Sequence, residues 1–360
     1  MPNGAERRQL ALRGALAKLG LEAMVVAGTA NIRYLTGFSG TSALLLVTAD
    51  RAVLVTDFRY AAQAPAEVGN TTDVRVERVS VWDGLRGVIA TDRVTRAAID
   101  RGRTTLADFD QLKSAGAELV PVTGVVEQLR ITKDESEVAA IREAARLATE
   151  ALAAIQPEIR AGRTELEIAA GLEAELRRRG SEWHPFPSIV ASGPRSALPH
   201  AQSTQRTVRA GDFLVLDFGA QVSGYCSDIT RTFVVGARAD ERQRSTYEVV
   251  QMAQIRAREG LRAGLSGREA DSLARDPIAR AGMGEAFGHS LGHGLGLEVH
   301  EAPRLSRTSE TVLPAGAVVT VEPGVYFEGW GGVRIEDDVV LLEDGAICLS
   351  DGKTDLVELT

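Results

Sequence analysis

The chain has 360 residues, of which 44% are hydrophobic and 25% charged, the proportions of a soluble globular protein long enough for two domains. A net charge of −8 and a pI near 5.4 argue against nucleic acid or an anionic membrane surface as a partner. No run approaches the roughly 18 apolar residues of a membrane span, the polar start Met1–Arg13 does not fit a secretory signal, and two cysteines are too few for a disulfide framework. We therefore expect a cytoplasmic protein with no membrane partner.

The first 130 residues predict a small mixed α/β domain, because short helical and strand patterns alternate along them. An amphipathic helix over residues 5–19 comes first, and Gly20 ends it. Residues 31–37 are predicted as a turn-forming connection. The other predicted elements are strands at 23–27, 42–47, 52–56, 96–100 and 118–120, and helices near 81–89 and 106–114. We find no catalytic constellation in this part of the sequence.

Residues 131–360 predict a second domain of α+β class, with long helices and antiparallel strands. The predicted helices cover residues 134–155, 164–179, 240–262 and 267–281. Thr132 is predicted to cap the first of them, with Glu135 completing a capping box. Thr164 and Glu167 form the same pattern at the second helix.

A glycine-rich stretch over residues 287–300 contains three of the five histidines of the chain, His289, His293 and His300. Its four glycines, at about 1 kcal/mol each, disfavour a helix, so an extended loop that packs closely around something small is expected. The alternative is a flexible surface loop in which the histidines cluster by chance. The pattern Gly292-His-Gly-Leu-Gly296 lacks the strand-then-helix context of a nucleotide-binding loop.

Two predicted hairpins place acidic residues inside apolar strands. In a hairpin centred between Val222 and Ser223, Asp217 would lie directly opposite Asp228, on the same face. Two carboxylates across a ladder repel each other, and a cation between them reverses the sign of that interaction. The alternative is an exposed hairpin with both acids solvated, which the apolar neighbours of Asp217 disfavour.

The second hairpin has the same character. Pairing centred near Gly329 would set Glu322, at the end of a valine-rich strand, opposite Glu336. Arg334 would share the face of Glu336. A glutamate that ends such a strand needs its charge matched.

The four carboxylates contribute a charge of −4, which two divalent ions would balance, with His293 as the one nitrogen ligand. An oxygen-rich set with one imidazole favours Mn²⁺, with Co²⁺, Zn²⁺ or Fe²⁺ as alternatives. Two such ions about 3.5–4 Å apart activate water and polarise a carbonyl, which is hydrolytic chemistry.

These motifs resemble those of the "pita-bread" metallopeptidases of family M24, which include the methionine aminopeptidases, aminopeptidase P and prolidase. The matching residues are Asp217, Asp228-Ile-Thr-Arg231, His289-Ser-Leu-Gly-His293-Gly294, Glu322-Pro-Gly324 and Arg334-Ile-Glu336-Asp337. The segments 31–38 and 56–60 resemble the accessory domain of the proline-specific branch, which methionine aminopeptidases generally lack. The resemblance covers essentially the whole chain and implies a pita-bread domain at 131–360 preceded by a creatinase-type domain at 1–130.

The resemblance also implies roles for individual residues. Asp217 would chelate one metal ion, His293 the other, and Asp228 and Glu336 would bridge them. Glu322 would bind metal and help to move the proton. Three more histidines would face the substrate: His200 as a pocket residue, His289 at the scissile region, and His300 as a stabiliser of the tetrahedral intermediate or a proton shuttle. Arg334 would support the metal carboxylates, its alternative being a surface ion pair.

The resemblance thus implies a metallopeptidase that cleaves Xaa-Pro bonds in short proline-containing peptides. Within this branch we expect an Xaa-Pro dipeptidase, or prolidase, because the sequence has no obvious extra segment for longer substrates. Aminopeptidase P is the alternative, and a creatinase-like hydrolase or a non-catalytic relative is disfavoured because all five ligand positions are intact. Relatives are commonly dimers, so a homodimer is expected.

Overall fold

The computed structural model describes residues 4–350 and 353–359 and divides the chain into two compact units, Met1–Arg130 and Ile131–Thr360. Residues 1–3, 351–352 and 360, which the predicted domains and the predicted polar N-terminus include, lie outside the described residues. No described helix is both long enough and apolar enough to cross a bilayer.

The first unit is a mixed sheet with helices around it. Its helices are α1 (Gly4–Lys18), α2 (Thr29–Thr36), α3 (Gln63–Val68), α4 (Val81–Thr91), α5 (Leu106–Lys113) and α6 (Val125–Ile131). Its strands are β1 (Ala23–Val26), β2 (Ala43–Thr48), β3 (Ala52–Asp57), β4 (Asp73–Glu77), β5 (Arg96–Asp100) and β6 (Glu118–Val122), in the sheet order β4-β3-β2-β1-β5-β6. The core of the unit forms where α4 packs its buried Leu85 and Ile89 on the strands.

One predicted element of this unit is wrong. Residues 31–37 are predicted as a turn, but residues 31–36 belong to helix α2 and Gly37 is its C-cap. The helix buries Ile32 and Leu35, which are three residues apart and so share a face. Gly37 ends it in the left-handed conformation, at φ 82°, and its N–H donates to the carbonyl of Arg33 at 2.7 Å. The glycine therefore marks the end of a helix rather than an isolated turn.

The second unit combines long helices with two larger sheets. Its helices are α7 (Glu135–Ile155), α8 (Glu165–Arg178), α9 (Glu241–Gly260) and α10 (Gly267–Arg280). Its strands are β7 (Ile189–Ser192), β8 (Asp212–Phe218), β9 (Gln221–Val222), β10 (Tyr225–Cys226), β11 (Ile229–Val235), β12 (Gly292–Gly294), β13 (Glu301–Leu305), β14 (Val318–Val321), β15 (Gly324–Phe327), β16 (Gly331–Arg334), β17 (Asp337–Leu342), β18 (Gly345–Cys348) and β19 (Val357–Leu359).

Two of these helices test the predicted capping boxes. At α8 the box is confirmed, since the Thr164 side chain accepts from the Glu167 N–H and the Glu167 side chain accepts from the Thr164 N–H. At α7 the predicted cap is wrong. The cap there is Asp134, whose carboxylate accepts from the Ser136 and Glu137 N–H groups, while Thr132 forms a bridge with Ala317. A carboxylate at this position also stabilises the positive end of the helix dipole.

The two larger sheets each pack on a helix pair. One has the order β19-β11-β8-β7 and shares its apolar core with α7 and α8. The other has the order β13-β12-β14-β17-β18 and packs on α9 and α10. Each sheet therefore keeps one face for its helices.

The register of the first acidic hairpin differs from the prediction by two positions. Asp217 pairs with Thr230 in the β8–β11 ladder, so the direct pairing with Asp228 is wrong. The turn is made by Ser223 and Gly224, whose φ angles of 51° and 78° fit a two-residue hairpin turn with both central residues in the left-handed region. Because the side-chain period of a strand is two, the shift leaves both acids on the same face.

The register of the second hairpin is confirmed. The ladder β15–β16 pairs Val325 with Val333, and the ladder β14–β17 pairs Val321 with Asp337, so both are centred on Gly329. Glu322 and Glu336 occupy opposite positions of this shared register, at the junction between the two ladders.

Strand β12, in the middle of the histidine-rich stretch, lies very close to its neighbours. A Cβ at Gly292 would lie 2.0 Å from the Thr320 carbonyl oxygen, and one at Gly294 would lie 2.0 Å from that of Ala302. The glycines thus let the backbone approach adjacent backbone, rather than a small ligand as the sequence predicted. This close fit fixes the position of His293 between them.

Gly292→Ala is expected to lower the free energy of unfolding by about 3 kcal/mol, because the methyl group would meet rigid backbone and overpack the sheet. Gly288→Ala is the matched control in the same stretch, since a Cβ there meets nothing within 4 Å. Its effect should stay within about 0.5 kcal/mol. Urea unfolding of both variants measures the difference, and equal stabilities would contradict the close-packing account.

Candidate metal centre

The predicted ligands come from both large sheets of the second unit. Asp217 is the penultimate residue of β8, and Asp228 directly precedes β11. Glu322 directly follows β14, Glu336 lies between β16 and β17, and His293 is the central residue of β12. Residues within or next to strands of both sheets therefore supply the predicted ligands.

The distances support a common centre for most of these groups. One ligand atom each from Asp228, His293 and Glu336 lies within 4.8 Å of the others. The Nε2 atom of His293 is 3.9 Å from Asp228 Oδ2 and 3.4 Å from Glu322 Oε1. Asp217 is close enough for its charge to raise the pKa values of Asp228, Glu322 and Glu336.

The surroundings of the acids disfavour their charged forms. Burial, and then the charges of neighbouring acids, raise the pKa values of Asp228 and Glu336 well above their usual range. Burial raises the pKa of Glu322 to about 8, with Arg334 partly opposing and Asp217 adding to the shift. Carboxylates that repel each other in a desolvated place are stabilised in their charged form by bound cations.

His293 has the protonation state and tautomer of a metal ligand. Burial lowers its pKa to about 4, so the imidazole is neutral at pH 7. Its Nδ1 lies 3.0 Å from the carbonyl oxygen of Gly294, which assigns the proton to Nδ1. The lone pair of Nε2 then faces Asp228 and Glu322. Metal-bound histidines commonly donate their other N–H to a backbone carbonyl in this way.

Two carboxylate oxygens strengthen the fit to divalent cations. Asp217 Oδ1 and Asp228 Oδ1 are buried and have no hydrogen-bond partner among the described residues. Buried hydrogen-bond acceptors normally have a donor. Two ionised carboxylates cannot supply a donor to each other, because both only accept. The donor set of four carboxylates and one neutral imidazole therefore fits a pair of divalent ions.

Arg334 is a buried partner of this centre rather than half of a surface ion pair. Its Nη2 donates to Asp217 Oδ2 at 2.6 Å, and its Nε donates to Thr230 Oγ1 at 3.1 Å. Its Nη1 donates to the carbonyl of Pro199 at 3.2 Å and to the hydroxyl of Tyr326 at 2.9 Å. One side chain thus holds a predicted ligand and the segment next to His200.

Tyr326 is a site residue that the sequence did not reveal. Its hydroxyl accepts from Arg334 and lies 3.0 Å from His289 Nε2. His289 Nδ1 contacts the Ser290 carbonyl at 2.8 Å, and burial lowers the pKa of His289 to about 4. Both ring nitrogens of His289 are therefore engaged within the protein. In the sequence, the feature that could have pointed to Tyr326 is its position four residues after the predicted ligand Glu322.

His200 and His300 are exposed. The rings of His293 and His300 meet edge to face, with centroids 4.4 Å apart. Burial, and then the nearby charge of His200, lower the pKa of His300. These two histidines are exposed, whereas both ring nitrogens of His289 already contact groups of the protein.

Two further residues position the acids and were also missed. Thr230 Oγ1 donates to Glu336 Oε2 at 2.6 Å, and the carboxylate of Asp338 accepts from the Asp228 N–H at 3.1 Å. Both are fully buried. Thr230 belongs to the Asp228-Ile-Thr-Arg231 motif and Asp338 follows Glu336 by two residues, so their positions next to ligands were the available signals.

Comparisons with known proteins cover both units. The family described as metallopeptidase family M24 matches residues 139–343, and the creatinase/prolidase N-terminal domain matches residues 8–132. The chain is 37% identical over 342 residues to the Xaa-Pro dipeptidase of Pyrococcus furiosus, covering 94% of this chain and 95% of that one.

Solved structures agree. The Xaa-Pro dipeptidase from Bacillus anthracis matches with a TM-score of 0.95 at 39% identity, covering 99% of this chain and all of that one. The X-Pro aminopeptidase from Thermotoga maritima matches with a TM-score of 0.90 at 37% identity, covering 96% of this chain and 100% of that one. The family and the α+β fold class expected from the motifs are confirmed, and the chain belongs to metallopeptidase family M24.

Proposed function

We propose that this chain hydrolyses the Xaa-Pro bond of dipeptides with the help of two divalent metal ions. The observation that carries the proposal is the convergence of Asp228, His293 and Glu336 in a chain that is similar over nearly its full length to Xaa-Pro dipeptidases. A dedicated enzyme is needed for such bonds because proline lacks an N–H and fixes φ, which weakens the strand-like grip of ordinary peptidases.

The metal ions would be held by the five predicted ligands, Asp217, Asp228, His293, Glu322 and Glu336. When bound, they would supply an activated water and polarise the scissile carbonyl. Mn²⁺ is the ion we favour for this oxygen-rich set, with Co²⁺, Zn²⁺ and Fe²⁺ as alternatives.

Glu322 is the acid that we assign to proton transfer. Its side chain is 17% exposed, compared with 14% for Asp217 and 8% for Asp228, while Glu336 as a residue is only 2% exposed. The most exposed carboxylate is the one that a substrate nitrogen can reach. Glu322 would take the proton from the attacking water and pass it to the leaving proline nitrogen.

The exposed histidines and Arg334 would bind and orient the substrate. The lowered pKa of His300 keeps its imidazole neutral, with one N–H free to donate to the developing oxyanion. His200, beside it, would line the pocket. Arg334 would hold Asp217 in place, and His289 would act at the scissile region by way of its contact with Tyr326.

An Xaa-Pro aminopeptidase is the second candidate, which the similarity to the Thermotoga maritima X-Pro aminopeptidase favours. We keep dipeptidase first because the Xaa-Pro dipeptidase from Bacillus anthracis matches at a higher identity and over more of this chain than the X-Pro aminopeptidase does. We also propose that residues 1–130 form a creatinase-type domain and 131–360 the catalytic domain. A cytoplasmic location and a homodimer stay predictions, the latter measurable by light scattering after gel filtration.

The Mn²⁺-loaded protein is expected to cleave Ala-Pro, and to cleave Ala-Pro-Pro more slowly, because a dipeptidase recognises both termini of a short substrate. The measurement is kcat/KM for both peptides with Mn²⁺, Co²⁺ and Zn²⁺ in turn. Ala-Ala is the control for proline dependence. Cleavage of the tripeptide alone would establish the aminopeptidase, and full activity after chelation would contradict metal dependence.

Glu336→Gln should remove at least one metal ion per chain, because the amide keeps the shape of the side chain but not its charge. We expect kcat to fall by about 100-fold or more, equivalent to at least about 2.7 kcal/mol of transition-state stabilisation. Titration calorimetry of the metal-free protein with Mn²⁺ and elemental analysis measure the loss directly. Glu343→Gln, an exposed glutamate just after β17, is the matched control and should change neither quantity.

The metal-free protein should become less stable relative to Glu322→Gln as the pH rises. The pKa of Glu322 is raised from its ordinary 4.5 to about 8, so between these values the unfolded chain binds fewer protons than the folded chain. Stability then falls with rising pH, and the glutamine variant lacks this contribution. Calorimetric melting in a chelator from pH 5 to pH 8 measures the difference, and a difference independent of pH would contradict the assignment.

A further inference from the structure

The segment of residues 193–203 carries the exposed His200, and a single buried carboxylate holds both of its ends. The segment follows β7, which ends at Ser192, and it leads to Thr204. The carboxylate is that of Glu165, the first residue of α8, which is fully buried. None of the roles assigned above uses Glu165.

Five donors converge on this carboxylate. On the Ser192 side, Oε1 accepts from the Ser192 N–H at 2.9 Å and from its hydroxyl at 2.8 Å. On the Thr204 side, Oε2 accepts from the Thr204 N–H at 3.0 Å and from its hydroxyl at 2.7 Å. Arg195 Nε, within the segment, donates to Oε2 at 3.1 Å. An ionised carboxylate offers about four lone-pair sites, so its accepting capacity is fully used.

The far side of the segment contacts the metal centre. The Ser196 hydroxyl accepts from the Gly332 N–H on β16 at 2.9 Å, and the Pro199 carbonyl accepts from Arg334 at 3.2 Å. Arg334 itself holds Asp217. His200 is the next residue after Pro199 and is exposed. The segment is thus fastened at its base by Glu165 and at its tip by the arginine that orders a predicted ligand.

We propose that Glu165 is a positioning residue that closes the segment 193–203 and so sets the place of His200 over the metal centre. The inference rests on the proposed function for the role of His200. Holding the two ends together restricts the conformations of the segment. Less conformational entropy is then lost when His200 contacts a substrate. A purely structural glutamate would stabilise α8 without affecting substrate binding.

Glu165→Gln tests the anchoring directly. Glutamine offers one acceptor oxygen, and its amide would face the N–H and hydroxyl donors of Ser192 or Thr204, so buried donors lose their partners. We expect amide hydrogen exchange in residues 193–203 to accelerate by about tenfold or more, since local opening of the segment becomes easier. Exchange unchanged in this segment would overturn the proposal. Thr204→Val removes one hydroxyl donor and should accelerate exchange in the same segment by a smaller factor. This variant tests the anchoring even if Glu165→Gln folds poorly.

Thr164→Ala is the matched control, because it removes the cap of the same helix without touching the carboxylate or its donors. It should lower the melting temperature and leave exchange in residues 193–203 and the KM for Ala-Pro unchanged. Glu165→Gln should raise KM and lower kcat/KM by about tenfold, while the Mn²⁺ affinity measured by calorimetry stays within about twofold of the unmodified protein. A drop in metal affinity as large as the drop in kcat/KM would overturn the assignment to His200.

A double-mutant cycle with His200→Ala decides whether Glu165 acts through the histidine. If it does, adding Glu165→Gln to His200→Ala lowers kcat/KM by less than about twofold, because the residue that it positions is already gone. The same loss in both backgrounds would overturn the proposal. Absence of Xaa-Pro cleavage by the unmodified protein would sink the proposed function alone, because hydrogen exchange reports the anchoring without any turnover.

Discussion

Carboxylates that have been taken out of water beside one another need a cation or a proton to relieve their repulsion, and the second unit of this protein is built around such a group. Asp228, Glu322 and Glu336 are each brought to the same place, and burial makes the charged form of each unfavourable. Arg334 supplies one positive charge through its ion pair with Asp217. The remaining negative charge is relieved by protonation or by bound metal ions, so protonation, metal binding and the stability of this region are linked.

The strands deliver these groups with little freedom. Glu322 and Glu336 lie where two ladders meet in one register, so the backbone of neither residue can shift without moving a sheet. His293 sits on a strand whose flanking glycines already touch neighbouring backbone. Rigid elements of this kind hold catalytic groups more accurately than loops do. His200 is the exception, because it lies on a connecting segment. There the buried Glu165 holds the backbone in place, as the sheets do for the other groups.

Much of this was accessible from the sequence because strand patterns have a period of two. That period placed Asp217 and Asp228 on one face although their predicted pairing was two positions off. The error came from Ser223, a residue other than glycine with positive φ, which no local pattern distinguished from Val222. Helix α2 was missed because its apolar residues are few and Gly37 resembles a turn signal.

Tyr326 and Glu165 escaped detection for a different reason. Each acts on residues far away in the chain, Tyr326 on His289 and Glu165 on Ser192 and Thr204. Local patterns report what a residue does to its neighbours in sequence, and a buried polar group is defined by partners that only the fold brings to it. The ligands were easier to find because their charge is out of place within an apolar strand.

The single centre of register at Gly329 also sets how this protein can change in length. One residue added to the tip of that hairpin would turn Arg334 and Glu336 to the opposite face, and two would slide them past Glu322. The turn between Leu342 and Gly345 carries no group of the centre, so insertions there leave the ligands in register. Natural variation in loop length should therefore be concentrated at the second turn and absent from the first.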